Sequence, residues 1–271
     1  MQRFCVTVAL AFVCVACVNS SLTYEGPLDD GPGFSAYLVS YPSSGLKVHA
    51  MIAVPSSTKP ENGYPVVIAN HGYVPDPRKY GITAEGKDSR PGDYYRSVPE
   101  LYASRGFLVV IPDYRGHNSS DGYELIKDQN REAVASYADD VVALMQRMAD
   151  IENADLRNVF LWSHSMGGAV SMRVQLSTSL IKGASYWATM PVVDLATRFN
   201  EVGAPIMIQH SAGDTSTQSS NSHEFAVALR KIGHPVTLHE YEGADHYFEG
   251  DTRELAADRD AAFFRELISS R

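Results

Sequence analysis

A serine, an aspartate and a histidine can together turn an alcohol into a nucleophile, and Ser165, Asp214 and His246 stand where each could take part. A serine hydroxyl attacks poorly until a base takes its proton, and the base needs a carboxylate to orient it. Ser165 lies in Val159-Phe160-Leu161-Trp162-Ser163-His164-Ser165-Met166-Gly167-Gly168. An apolar run enters a turn of small residues, and a helical pattern leaves it through Val170, Arg173 and Val174. That is the arrangement of a nucleophile elbow, a serine on a strained strand-to-helix turn. Small residues two before and two after the serine, here Ser163 and Gly167, let strand and helix approach closely. Glycine is usual at the first of these places, so Ser163 is a departure that stays small. A helix beginning at Met166 leaves N–H groups without intrahelical partners, and the Met166 N–H would face a developing oxyanion. A serine-rich turn capping a helix would use the same residue types; the strand before and the helix after favour the nucleophile.

The acid and base follow Ser165 in the order serine, aspartate, histidine. Asp214 comes after the apolar run Pro205–Gln209, and His246 after the run Val236–Tyr241. Asp214 is therefore read as the orienting carboxylate and His246 as the base. Asp245 is the rival carboxylate, but a side chain adjacent to His246 has difficulty reaching the imidazole from the far side. Of the nine histidines, none of the other eight follows the last strand, and they are read as structural. His71-Gly72-Tyr73 ends an earlier apolar run, where a second oxyanion donor is expected; Tyr73 N–H is the choice, with Gly72 letting the backbone turn inward. The long connection Val74–Tyr95 is rich in proline, glycine and tyrosine. Tyr80, Tyr94 and Tyr95 are read as substrate contacts, against the alternative of a surface excursion.

The elements needed to hold these residues are legible in the periodicity. Phe34–Tyr41 and Lys47–Val54 alternate apolar and polar residues around Pro42-Ser43-Ser44-Gly45, which predicts an antiparallel pair. Val66–Ala69, Phe107–Ile111, Val159–Trp162, Gly183–Trp187, Pro205–Gln209 and Val236–Tyr241 are short apolar runs that fit strands buried on both faces. Helical spacing falls between them, at Val98, Leu101 and Tyr102; at Val134, Tyr137, Val141, Leu144, Met145 and Met148; at Phe225, Leu229 and Ile232; and at Leu255, Phe263, Phe264, Leu267 and Ile268. The prediction is an α/β domain over residues 34–271, with a mostly parallel eight-stranded sheet and helices on both faces. Ligands of such sheets bind beyond the carboxyl ends of the strands, where the motif residues fall.

The start of the chain reads differently. Met1-Gln2-Arg3 precedes an apolar stretch from Phe4 to Ala16 and a small, polar tail, so residues 1–20 read as a signal peptide. Cys5, Cys14 and Cys17 are the three cysteines, which leaves the body without a disulfide or a thiol nucleophile. Cys14-Val15-Ala16-Cys17 is similar to a lipoprotein processing site, although Cys14 stands where leucine is usual; lipidation of Cys17 would tether the chain to a membrane. The expected location is thus secreted, periplasmic or lipid-anchored. Residues 21–33 read as a linker. A formal net charge of −9 disfavours nucleic acid as a partner, and no paired-histidine spacing points to a metal. No cofactor is expected.

Asn70-His71-Gly72-Tyr73, Pro112-Asp113-Tyr114-Arg115-Gly116-His117, Ser163-His164-Ser165-Met166-Gly167-Gly168, Ala212-Gly213-Asp214 and Gly243-Ala244-Asp245-His246 together resemble the α/β-hydrolase superfamily. Within it the chain resembles the prolyl-oligopeptidase-related hydrolases and the dienelactone-hydrolase-like esterases. The resemblance implies an α/β-hydrolase fold, and Asp113 and Arg115 match a stretch that is structural in the family. Two departures favour an esterase over an exopeptidase. There is no room for the propeller of the oligopeptidases and no evident acidic pair for a free amino terminus. Pro191–Gly203 is also short for a lid, so a minimal or absent one is expected. The resulting expectation is a carboxylesterase acting on small or polymer-attached esters. The alternatives are a small serine peptidase, a feruloyl-type polysaccharide esterase, or a non-catalytic binding protein of the same fold.

Overall fold

A computed structural model describes residues 21–82, 91–128, 130–189, 198–243 and 245–269. The expected leader, with Cys17, lies outside the described residues, as do 191–197 of the segment read for a lid. Among the described residues the sheet has nine strands in the order β1-β2-β3-β5-β4-β6-β7-β8-β9. They are β1 (Thr23–Pro27), β2 (Phe34–Ser43), β3 (Leu46–Pro55), β4 (Tyr64–Asn70), β5 (Leu108–Pro112), β6 (Ala154–His164), β7 (Ile181–Trp187), β8 (Ile206–Ser211) and β9 (Val236–Tyr241). The pairs from β1 to β3, and β3 with β5, are antiparallel; the rest are parallel. The ninth strand is β1, which lies inside the stretch read as a linker. Its Thr23-Tyr24-Glu25-Gly26-Pro27 is polar and exposed because it pairs with β2 at the sheet's edge. An edge strand buries little and so leaves little hydrophobic signature.

The β2–β3 hairpin turns through Ser44 and Gly45, both at positive φ (49° and 81°). Two consecutive left-handed residues make the tight turn whose twist matches the strands. The central strands show why continuous apolar runs mark parallel sheets. Val66 and Ile68 of β4 face one layer, and Val67 and Ala69 face the other. In the first layer lie α3 (Arg131–Met145), α4 (Met166–Ser177) and α5 (Ser219–Lys231), contributing Tyr137, Val141, Val174 and Phe225. In the second lie α1 (Val98–Ala103) and α6 (Gly250–Ser269), contributing Leu101, Tyr102, Ala257 and Phe264. The short α2 (Tyr123–Ile126) sits between β5 and α3. The Asn130 side chain caps α3 by accepting from Ala133 N–H at 2.9 Å. Arg115, after β5, binds Asp140 of α3 through Nη2 at 2.8 Å and Nε at 3.0 Å, and this pair is buried. A buried, multiply bonded guanidinium–carboxylate pair fixes one helix against one strand end, in keeping with a structural part for Arg115.

Candidate active site

The carboxyl ends of β4, β6, β8 and β9 lie on one rim of the sheet, and each carries a residue of interest into it. β6 ends at His164 and α4 begins at Met166, so Ser165 is the whole of the turn between them. Its backbone has φ 54° and ψ −124°, a conformation that costs a non-glycine residue about 1–3 kcal/mol. Neighbouring strands hold it there. Ser165 N–H donates to Trp187 carbonyl oxygen at 3.0 Å, and Ser165 carbonyl oxygen accepts from Thr189 Oγ1 and Gly168 N–H, each at 3.0 Å. The small residues have steric reasons. A Cβ on Gly167 would run into the carbonyl of Asn70 in β4, and one on Gly168 into the Thr189 side chain. Met166 is the first residue of α4, so its N–H lacks an intrahelical acceptor.

Because β4 pairs with β6, with Asn70 opposite Ser163, the loop leaving β4 emerges beside the elbow. A Cβ on Gly72 would lie 3.0 Å from Ser165 Cβ, and Tyr73 follows with 54% of its surface exposed. His71 is buried, its ring 4.3 Å from that of Tyr80 and 4.2 Å from that of Tyr114, both stacked. Burial lowers its pKa to about 3. The imidazole is thus a neutral spacer under the loop.

Asp214 and His246 meet above the ends of β8 and β9. His246 Nδ1 lies 2.8 Å from Asp214 Oδ2. The same oxygen accepts from Thr217 Oγ1 at 2.7 Å and lies 3.1 Å from His210 Nε2. Asp214 Oδ1 accepts from Ser216 and Thr217 N–H, each at 2.8 Å. Burial pushes the carboxyl pKa up, and the bonds from His246 and Thr217 outweigh it, holding it below the usual carboxylate range. With Nδ1 bonded to a carboxylate, the histidine keeps Nε2 for other partners. Asp245 is engaged differently: its carboxylate accepts from the His246 backbone N–H rather than the ring. The His246 ring is 4.7 Å from that of His164, the residue before Ser165, and the His246 carbonyl oxygen is 2.9 Å from His164 Nε2. The elbow and the histidine loop are therefore in direct contact.

The tyrosines differ from expectation. Tyr80 and Tyr95 are buried, at 1% and 6% exposure, and do not line an open site. Aromatic residues in a long loop read as surface residues, but Tyr80 and Tyr95, at the two described ends of this one, pack against His71 just beyond β4, and burying the rings there is more favourable than exposing them. Tyr94 is half-buried, its ring 4.7 Å from Tyr247 and 4.4 Å below the Arg253 guanidinium. The exposed tyrosines flanking the site are Tyr73 and Tyr247; Tyr247 was not singled out from sequence. Thr217 and His210 were also missed as partners of Asp214. Thr217 had a readable signal, since Asp followed closely by Ser and Thr is a side-chain-to-backbone turn signature. His210 had none, because its contact depends on how β8 ends.

Comparison with known proteins agrees with this architecture. The profile of the dienelactone hydrolase family matches residues 92–265. An uncharacterized peptidase, YtmA, of Bacillus subtilis (strain 168) is 21% identical over 246 residues, covering 78% of this chain and 86% of YtmA. A protein assigned as a dienelactone hydrolase from Klebsiella pneumoniae subsp. pneumoniae superposes with TM-score 0.68 at 18% identity, over 87% of this chain and 100% of its own. The Pyrococcus horikoshii acylaminoacyl peptidase gives TM-score 0.69 at 16% identity, over 89% of this chain and 43% of its own. Dipeptidyl peptidase 4 of Porphyromonas gingivalis gives 0.66 at 18%, and the match spans 36% of that longer chain. These structures share the α/β-hydrolase fold. With the profile covering well over half of its residues, the chain belongs to the dienelactone hydrolase family and is a hydrolase.

Proposed function

We propose that the protein is a serine hydrolase that cleaves carboxylic esters through an acyl-enzyme on Ser165. The observation that carries this reading is the His246–Asp214 hydrogen bond of 2.8 Å, in a loop packed against the elbow that presents Ser165. In the proposed reaction Ser165 Oγ attacks the ester carbonyl carbon as its proton passes to His246 Nε2. Asp214 holds the ring in the tautomer with the proton on Nδ1 and offsets the charge of the imidazolium. The oxyanion is received by the N–H groups of Met166 and Tyr73. The C–O bond to the alcohol breaks as Nε2 returns the proton to the leaving oxygen. Water, deprotonated by the same histidine, then frees the acid and regenerates Ser165.

Ester preference is supported by the family's own name, since a lactone is a cyclic ester. The peptidase reading stands beside it because peptidases are prominent among the fold neighbours. A fluorophosphonate probe is expected to label Ser165 in the wild type and not in Ser165→Ala; a folded wild type without label would end the serine reading. Turnover of p-nitrophenyl and feruloyl esters, compared with aminoacyl amides, separates the two readings. The amides are expected to turn over at least about 100-fold more slowly, a gap of about 2.7 kcal/mol in barrier. The reverse ranking would make the protein a peptidase.

A further inference from the structure

A buried line of hydrogen bonds joins three loops of the candidate site. Gly72 N–H donates to Tyr95 Oη at 2.6 Å. Tyr95 Oη lies 3.0 Å from His164 Nδ1. His164 Nε2 lies 2.9 Å from the carbonyl oxygen of His246. Chemistry fixes where each proton sits. A carbonyl oxygen only accepts, so His164 Nε2 carries the proton; Nδ1 is then an acceptor, and the Tyr95 hydroxyl must donate to it. A phenol donating in this way keeps a lone pair for Gly72 N–H. One arrangement of protons satisfies every member. Gly72, Tyr95, His164 and His246 are all buried. Burial lowers the His164 pKa to about 3, so the neutral ring that this arrangement needs is the form present at neutral pH.

The ends of the line matter more than its middle. Gly72 immediately precedes Tyr73, whose N–H is the proposed oxyanion donor. His246 carries the proposed base. His164 is covalently joined to Ser165. Contact is tight at the first end: a Cβ on Gly72 would stand 2.5 Å from Tyr95 Oη and 3.0 Å from Ser165 Cβ. We propose that Tyr95 and His164 are positioning residues, holding the oxyanion loop and the histidine loop in register with Ser165. The inference rests on the serine-hydrolase reading and adds to it two side chains that touch no reacting atom.

Tyr95→Phe removes one oxygen and keeps the buried ring. It is expected to lower kcat by about 10–100-fold, the scale of a small misplacement of catalytic groups, while KM stays within about twofold. Labelling of Ser165 by a fluorophosphonate should slow in step, because the phosphonyl oxygen needs the same donors. His164→Gln, which can retain a donor toward residue 246 but not the imidazole acceptor toward Tyr95, is expected to fall in the same direction. Near-UV circular dichroism and thermal melting report whether each variant is folded. A folded Tyr95→Phe with kcat and labelling within twofold of wild type overturns the proposal, as does a loss confined to KM. If Tyr95→Phe does not fold, His164→Gln decides by the same measures. Loss of the fold in both assigns these residues to stability and overturns the proposal as well. A wild type that takes no label at Ser165 defeats the hydrolase reading itself, and this inference with it; a labelled wild type with unaffected variants defeats this inference alone.

Discussion

At the scale of single residues, the carboxylate shows most clearly how position sets chemistry. Asp214 accepts from two backbone N–H groups, from Thr217 Oγ1 and from His246 Nδ1, so it stays ionised where an isolated buried acid would take up a proton. Asp214→Asn preserves the shape and removes the charge. It also places an amide against groups that donate, and it favours the wrong imidazole tautomer. Turnover is expected to fall by about 10³–10⁴-fold with little change in KM, the pattern of lost transition-state stabilisation. Thr217→Val removes one donor and keeps the backbone N–H, so about a 10-fold drop in kcat is expected. Steady-state kinetics on one ester check both. There is also a pH consequence. The folded-state pKa of Asp214 lies below its unfolded value. Its contribution to stability is therefore present above the unfolded value and lost as pH falls through the folded one. Melting temperatures should therefore fall more steeply in the wild type than in Asp214→Asn once pH drops below the unfolded value, so that the gap between them narrows toward the acid end.

At the scale of elements, the elbow is a contact between three segments rather than a property of a short motif. Gly167 is small because the carbonyl of Asn70 in β4 occupies the space a Cβ would need, and that carbonyl belongs to a strand buried on both faces. Gly167→Ala must therefore separate α4 from β4, and a loss of about 1–3 kcal/mol is expected, as for other overpacked cores. Denaturant unfolding measures it. The same view explains what the sequence revealed. Val66–Ala69 and Val159–Trp162 were legible as strands because both of their faces are buried, and Ser165 and Asp214 because each follows such a strand; His246 follows β9, an edge strand in which only Tyr241 is buried. β1 was not legible, since it exposes most of its residues. The inward turn of Tyr80 and Tyr95 was not legible either: whether a loop tyrosine faces water or the core is decided by tertiary packing and not by its neighbours in sequence. Tyr95 and His164 come together across 69 positions, a separation at which periodicity carries no information.

At the scale of the whole molecule, the rim depends on a polar cluster beneath it that no reaction step uses. Asp260 of α6 accepts from Tyr102 Oη at 2.6 Å, Ser185 Oγ at 2.6 Å, Trp187 Nε1 at 2.9 Å and Gln209 Nε2 at 2.5 Å. One carboxylate thereby joins α6 to α1, β7 and β8. Trp187 also supplies the carbonyl that receives Ser165 N–H, so the cluster lies one residue from the elbow. Burial raises the Asp260 pKa to about 7, and the four donors only partly oppose it. Asp260→Ala leaves all four donors unpaired and is expected to cost about 3–5 kcal/mol; Asp260→Asn turns a donor toward donors and should cost about 1–3 kcal/mol. The sign of the pH effect differs from that at Asp214. A folded pKa above the unfolded one means that the protonated group stabilises the fold fully below the unfolded value. That contribution is lost as pH rises toward about 7, after which it is constant. The asparagine variant lacks this titration while sharing all the others. The stability gap between wild type and Asp260→Asn should accordingly be widest near pH 4 and narrow up to about pH 7. A gap of constant size across that range, measured by denaturant unfolding, would mean that the donors hold the carboxylate ionised throughout and that the C-terminal helix is tied to the sheet by a charge.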